Sequence, residues 1–191
     1  MIKFWCIIFS QAELSRAKFL YTTGFFIDAN FEAVKSIAEF ATANEKPLGL
    51  NLSALFVVQF YLDQVKEAIK HSEYVFGNED EASAFATAVG LEAQDRVGAA
   101  KFIATFEKAS MTRPRTVIIT QGAQPTIVVT GKPGEEPSVE YVEVDPIEPS
   151  TIVDTNGAGD SFCGAFFASL SSGSDLRTAV QKGNELAGKV I

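Results

Sequence analysis

The chain has 191 residues, of which 47% are hydrophobic, so it is long enough to bury one sizeable core in a single domain. Its formal net charge of −8 argues against nucleic acid or an anionic membrane as a partner. Its two cysteines, Cys6 and Cys163, give neither a metal-ligand spacing nor a disulfide framework, which fits a reducing, cytosolic setting.

The first half of the chain alternates between strand and helix patterns. The apolar start at 1–9 is too short for a secretion signal or a membrane span, so no targeting segment is expected. β-Branched and aromatic residues predict three strands, at 19–23, 48–52 and 73–76. Apolar residues at helical spacing predict four helices, at 31–40, 55–70, 78–89 and 95–109. Short connections between such elements predict βαβ crossovers and a parallel sheet with helices on both faces.

After Pro114 the pattern changes to consecutive strands. Three strands are predicted, at 116–120, 126–130 and 139–144. We interpret Ile152 and Val153 as the end of a buried strand that leads into a turn at 154–159. Two more helices are predicted, at 161–170 and 175–190. The fold class is therefore α/β, with a mainly parallel sheet between helices and an antiparallel hairpin at its edge.

The segment D-T-N-G-A-G-D at 154–160 carries the chemistry. Gly157 and Gly159 have no side chain, so backbone N–H groups there can approach an anion closely. The first N–H groups of the following helix lack intrahelical acceptors and lie at the positive end of its dipole, which predicts a phosphate site. Asp160 adds a carboxylate that fits a base drawing a proton from an attacking hydroxyl. The alternative is an acidic N-cap after a glycine turn.

Three other loops follow predicted strands, where parallel sheets bind ligands. Asn78 and Glu81 have the spacing of a capping box, in which each side chain bonds the other residue's amide. The T-Q-G segment at 120–122 has the composition of a turn after a strand. Asn51 and Ser53 lie in the third loop, where turn capping explains both. On spacing alone, each loop therefore has a purely structural explanation.

The nine residues from Asp154 to Phe162 closely resemble the signature of the ribokinase-like (PfkB-type) carbohydrate and nucleoside kinases, and most of all the branch that phosphorylates adenosine. The resemblance implies a ribokinase-like fold and ATP-dependent phosphorylation of adenosine at its 5′ hydroxyl, which gives AMP in purine salvage. It implies Mg²⁺ as the metal and a monomeric enzyme of the cytoplasm and the nucleus. Two alternatives stay open: a kinase of another nucleoside or sugar, and a non-catalytic nucleotide-binding fragment.

The same resemblance assigns roles to single residues. Four backbone amides would form an anion hole, those of Gly157, Ala158, Gly159 and Asp160. Four residues would border the nucleotide: Asn78, Thr120, Gly122 and Asn156. Asp160 would be the base, and Glu81 with Asn78 would help to hold Mg²⁺, partly through water. Asn51 and Ser53 are weaker candidates, because the family continues their N-L-S-A segment with proline where this chain has Leu55.

The resemblance divides the chain into an unmatched segment at 1–14 and a partial kinase domain at 15–191, which corresponds to the nucleotide-binding half. The family's lid strands, its ribose-gripping aspartate and its last helices have no counterpart here. We therefore expect the isolated chain to be inactive and to self-associate through an exposed sheet edge.

Overall fold

The computed structural model describes residues 11–191, so the apolar start and Cys6 lie outside the described residues. Six strands form one sheet in this range: β1 Leu20–Thr23, β2 Leu48–Asn51, β3 Tyr74–Asn78, β4 Arg115–Gln121, β5 Gln124–Gly131 and β6 Ser138–Val142. Their order across the sheet is their order along the chain. β1 to β4 run parallel, and β5 and β6 are antiparallel. The predicted mainly parallel sheet with an antiparallel edge is thus confirmed.

Eight α-helices lie within the described range: α1 Gln11–Arg16, α2 Phe25–Ala43, α3 Leu55–Phe60, α4 Leu62–Lys70, α5 Glu79–Ala88, α6 Arg96–Thr105, α7 Ala158–Ser171 and α8 Leu176–Ala187. A 3-10 turn, Pro149–Thr151, precedes α7. Among these helices, none combines the length and the apolar character needed to cross a bilayer.

The helices form two layers around the sheet. α2 to α6 cover one face, in a core that includes Val34, Leu50, Phe85, Ile103 and Val117. α7 and α8 cover the other face, in a core that includes Phe76, Ile118, Val128, Phe162 and Val180. Because side chains alternate along a strand, β4 supplies Val117 to one core and Ile118 to the other. Burial on both faces explains the consecutive apolar residues at 117–119 in the middle of β4.

Three predicted helices differ from the structure, and the simplest case is the helix predicted at 95–109, which ends at Thr105. The helix predicted at 31–40 extends back to Phe25, across a non-helical Asn30 with φ −163° and ψ 80°. Asn30 Oδ1 accepts a hydrogen bond from the amide of Ala33 at 3.2 Å and so caps the second part. The helix predicted at 55–70 is interrupted at Tyr61, where φ is −124° and ψ 31°. The Tyr61 hydroxyl donates to the carboxylate of Asp28 on α2.

The predicted buried strand at Ile152 and Val153 is wrong. The segment is extended but pairs with no strand in the described part of the sheet, and Val153 is 92% exposed. Pro146 and Pro149 explain the difference, since proline has no amide to donate to a sheet ladder. The chain therefore leaves the sheet after β6 and reaches α7 along the surface.

A buried polar cluster joins the elements at the edge where β3 and β4 begin. The Arg115 guanidinium is fully buried and donates to the carbonyls of Ile69, Ser72, Ile103, Phe106 and Glu107. Nearby, Glu73 pairs with Lys108 at 2.9 Å and accepts from the Leu48 amide at 3.0 Å. Burial lowers the pKa of Arg115 to about 10, which still leaves it charged at neutral pH.

We expect Arg115→Met to lower the free energy of unfolding by roughly 3 kcal/mol, because it leaves buried carbonyl groups without donors. Urea unfolding followed by circular dichroism measures the change. Arg113→Met is the matched control, since Arg113 is exposed and its one side-chain hydrogen bond to residues 11–191 goes to the carbonyl of Glu45. Equal stability of the two variants would show that the buried cluster contributes little.

Candidate active site

A pocket of about 310 Å³ lies at the edge of the sheet where the parallel strands end, called the carboxyl edge below. Asn78, at the end of β3, is paired in register with Thr120 of β4, and both line the pocket. Most of the sequence-predicted site residues line this one pocket: Asn51, Ser53, Asn78, Glu81, Thr120, Asn156, Gly157, Gly159 and Asp160. The loops after β2, β3 and β4 meet because these parallel strands end at a common edge, and the start of α7 joins them although no paired strand precedes it in the described sheet.

The start of α7 presents backbone amides to the pocket. Gly157 is the N-cap, with φ 82°, in the left-handed region that other residues rarely adopt. The Ala158 amide donates to the Thr155 carbonyl at 3.3 Å, but the amides of Gly159 and Asp160 have no acceptor among residues 11–191. A Cβ at Gly159 would meet no atom within 4 Å, so its missing side chain leaves space for a ligand. Two unpaired amides at a positive helix end can hold an anion.

Asp160 is the third residue of α7, and its exposed side chain lines the pocket beside these amides. It does not cap the helix, because the N-cap is Gly157 and makes no side-chain bond. Within the described range, the Asp160 carboxylate accepts no hydrogen bond. The capping alternative is therefore wrong, and the carboxylate is free to act on a ligand.

The loop before α7 has its own internal bonds. Asp154 Oδ1 accepts from the amide of Asn156 at 2.9 Å, and Asp154 Oδ2 accepts from Asn156 Nδ2 at 3.3 Å. This Asx turn fixes the direction of the Asn156 side chain at the pocket wall.

The capping box at the start of α5 is present in full. Asn78 Oδ1 accepts from the amides of Asp80 and Glu81, at 3.0 and 2.8 Å, and Glu81 Oε2 accepts from the Asn78 amide at 3.1 Å. Glu81 is 6% exposed, and burial raises its pKa. The hydrogen bond from the Asn78 amide acts in the opposite direction and lowers the pKa of Glu81. The box thus holds a nearly buried carboxylate at the pocket wall.

The β2–α3 loop reaches the pocket through Asn51 and Ser53. The amide of Ser53 donates to Asn51 Oδ1 at 3.0 Å, and Ser53 Oγ accepts from the Gly24 amide at 2.9 Å. Asn51 Nδ2 donates to Cys163 Sγ at 3.8 Å. Ser53 has φ 68°, a strained conformation for serine, which these bonds maintain. Burial raises the pKa of the Cys163 thiol to about 12, so the thiol stays protonated.

Two predicted site residues lie outside the pocket wall. Ala158 directs its amide to Thr155, as described above. Gly122 lies in the β4–β5 turn with φ 57°, and a Cβ there would lie 4.0 Å from Glu79 Oε1.

The pocket also contains residues that sequence reasoning missed. Phe25 is 53% exposed at the rim, and its ring centroid lies 6.2 Å from that of Phe56. In the sequence, only the glycine before Phe25 hints that this position approaches the β2–α3 loop. A Cβ at Gly24 would lie 2.4 Å from the carbonyl oxygen of Leu52. Cys163 is also missed, although it lies one helical turn after Asp160 and lines the same pocket.

The mainly parallel sheet between helices defines an α/β protein, and the glycine-rich helix start and free carboxylate at the carboxyl edge of the sheet are its candidate site. The chain belongs to the pfkB family of carbohydrate kinases, which it matches over residues 5–191. Its ribokinase-like fold is confirmed by the solved structures that resemble it.

Several relatives are adenosine kinases. Adenosine kinase 1 of Arabidopsis thaliana is 37% identical over 180 residues, 94% of this chain and 51% of the relative. The adenosine kinase of Schizosaccharomyces pombe is 38% identical over 184 residues, 93% of this chain and 51% of the relative. The chain thus spans about half the length of the curated relatives it matches.

The chain is also similar to solved structures of adenosine kinases. Anopheles gambiae adenosine kinase, in complex with a di(adenosine-5) tetraphosphate, superposes with a TM-score of 0.89 at 36% identity, over 95% of this chain and 52% of that one. Schistosoma mansoni adenosine kinase, in complex with 2-fluoroadenosine, has a TM-score of 0.86 at 34% identity, over 94% and 52%.

Proposed function

We propose that this chain carries the nucleotide-binding half of an adenosine kinase, which transfers the terminal phosphoryl group of ATP to the 5′ hydroxyl of adenosine and yields ADP and AMP. The observation that carries the proposal is the free carboxylate of Asp160 beside two unpaired amides in one pocket. The relatives named adenosine kinase support the same assignment.

In this reaction Asp160 is the base. Its carboxylate takes the proton of the attacking hydroxyl while the new O–P bond forms and the bond to the leaving ADP breaks. The amides of Gly157, Gly159 and Asp160 face the negative charge that spreads over the transferred phosphoryl oxygens. Ala158 contributes through the backbone geometry of the turn. Phosphoryl transfer needs positioning and charge stabilisation more than covalent chemistry, so this small set of groups suffices for its half of the site.

The wall also fits a magnesium ion held partly through water. Glu81 offers a nearly buried carboxylate whose pKa is raised by burial, and a nearby cation would lower that pKa again. Residues 11–191 contain no group of three or more His, Cys, Asp or Glu that could hold a metal. A single carboxylate such as that of Glu81 suits Mg²⁺, which keeps several waters and binds substrate phosphates. When bound, the ion neutralises phosphate charge, while Asn78 holds Glu81 in place.

The rim favours a nucleoside as acceptor. Phe25 and Phe56 present exposed aromatic rings beside the pocket, and planar bases stack on such rings. A bare sugar has no planar group for this contact. The aromatic pair therefore supports adenosine over ribose as the substrate.

The remaining site residues border the nucleotide in this proposal. Thr120, Gly122 and Asn156 lie along ATP, whereas Asn51 and Ser53 hold the loop beside it. The activity belongs to purine salvage in the cytoplasm, with ATP and adenosine as the small-molecule partners.

The test joins this chain to the unmatched half of the Schizosaccharomyces pombe relative and measures coupled ADP release with Mg-ATP. We expect turnover with adenosine and none with ribose. Turnover with ribose alone would assign a sugar kinase. ATP binding without turnover on any nucleoside or sugar would identify a non-catalytic nucleotide-binding protein.

Glu81→Gln tests the magnesium role in the same chimera. We expect stability to change little, because the new amide can still accept from the Asn78 amide, whereas activity should fall and more Mg²⁺ should be required. Activity is titrated with Mg²⁺, and Glu79→Gln on the same helix is the control. Unchanged magnesium dependence together with a loss of stability of about 1 kcal/mol would mean that Glu81 only caps α5 and does not help to hold Mg²⁺.

A further inference from the structure

Arg96 occupies an unfavourable position at the start of α6. It is the first residue of the helix, where the dipole repels a cation, and no acidic residue follows in the first turn. The N-cap, Asp95, uses its carboxylate to accept from the amide of Gly98 at 2.7 Å. The local structure therefore gives no reason for a positive charge at this point.

The Arg96 guanidinium is held in place but is not neutralised. One nitrogen, Nη1, donates to Gln121 Oε1 at 3.1 Å, and Gln121 Nε2 donates to the Pro125 carbonyl at 2.7 Å. The Nε atom is buried without an acceptor, the one such side-chain atom in the part of the chain that the structure describes. Arg96 forms no ion pair within that part either. A partly buried cation with unused donors is costly unless an anion binds to it.

This cation is linked through Gln121 to a pocket wall that lacks positive side chains. The described wall includes the carboxylates of Glu81 and Asp160 but no Lys or Arg. Gln121, which holds the guanidinium, directly follows Thr120 of the wall. A polyphosphate that entered the pocket would therefore meet two carboxylates, and Arg96 is a cation fixed at the adjoining turn.

We propose that Arg96 binds a phosphate oxygen of the nucleotide's polyphosphate through the guanidinium donors that Gln121 leaves free. The planar guanidinium suits phosphate, and its bond to Gln121 fixes the direction of the free donors before the ligand arrives. This inference rests on the proposed nucleotide site. It adds a binding residue from α6, on the side of the sheet opposite α7.

The test is calorimetric titration of the 191-residue chain with Mg-ATP and with inorganic tripolyphosphate at several salt concentrations. The variant is Arg96→Met, and the control is Lys101→Met, which removes one positive charge from the same helix. Losing a charge-assisted hydrogen bond should raise the dissociation constant of both ligands about tenfold or more. The control should match the unsubstituted chain. Melting curves check folding, and Arg96→Gln replaces the first variant if that variant is unfolded.

The salt dependence separates a direct contact from an indirect one. A lost phosphate contact makes ligand binding less sensitive to salt, because fewer charges are left to screen. Weaker binding with unchanged salt sensitivity would mean that Arg96 only shapes the turn, and would overturn the inference. Equal affinities of Arg96→Met and Lys101→Met would also overturn it. If the unsubstituted chain binds neither ligand, the proposed nucleotide site itself fails, which is a distinguishable result.

Discussion

Asp160→Asn in the chimera should keep the fold and ATP binding but lower turnover by about 10²-fold to 10⁴-fold, the usual contribution of a general base. The side chains have nearly the same shape, and the Asp160 carboxylate accepts no bond from the described residues, so no structural contact is lost. What disappears is the group that takes the proton of the attacking hydroxyl.

Initial rates under saturating adenosine and Mg-ATP measure the loss, and calorimetry measures ATP affinity. Asp80→Asn is the control, since Asp80 lies close to the site on α5 but outside the pocket wall. Near-normal turnover in a folded Asp160→Asn protein would remove Asp160 from the role of base.

The 191-residue chain on its own should release almost no ADP in response to adenosine. The chain spans about half the length of its relatives, and from the family resemblance we expect the lid and the aspartate that grips ribose to lie in the half that it does not match. Without them, the hydroxyl is not held in line, which forfeits a proximity contribution of roughly 7–11 kcal/mol. Lid closure, which excludes water from kinase sites, is lost as well. Asp160 cannot compensate, because it acts only on a hydroxyl already in position.

A coupled ADP-release assay with and without adenosine measures this activity. The positive control adds the unmatched half of a relative as a separate chain. Weak ATP binding should survive, since the proposed phosphate contacts lie within these residues. Self-association is also expected, because β1 pairs with β2 alone among the described strands and leaves an open edge. Adenosine-dependent turnover close to that of an intact kinase would contradict the prediction.

The sequence predicts what depends on short-range chemistry. The capping box of Asn78 and Glu81 involves partners within three positions, so local spacing is enough. The convergence of the loops after β2, β3 and β4 follows from a single rule about parallel strands, whereas the loop before α7 follows no paired strand in the described sheet. The roles of these residues in catalysis stay predictions.

Long-range features could not be predicted in this way. Arg115 looks like an ordinary strand residue in the sequence, because its acceptors lie up to 46 positions away. Phe25 lines the pocket next to Gly24, whose close approach to the Leu52 carbonyl joins residues 28 positions apart. Val153 has the apolar character of a strand, yet the prolines before it take the chain out of the sheet.

The sheet order has a consequence for synthesis on the ribosome. Each strand from β2 to β6 pairs with the one made just before it, so the nascent chain can add strands one at a time with modest loop closure. α2 to α6 cover their face as it grows. The opposite face, with Phe76, Ile118 and Val128, stays bare until α7 and α8 emerge last. During that interval the nascent polypeptide exposes an apolar surface, and this is the stage at which a chaperone would bind it.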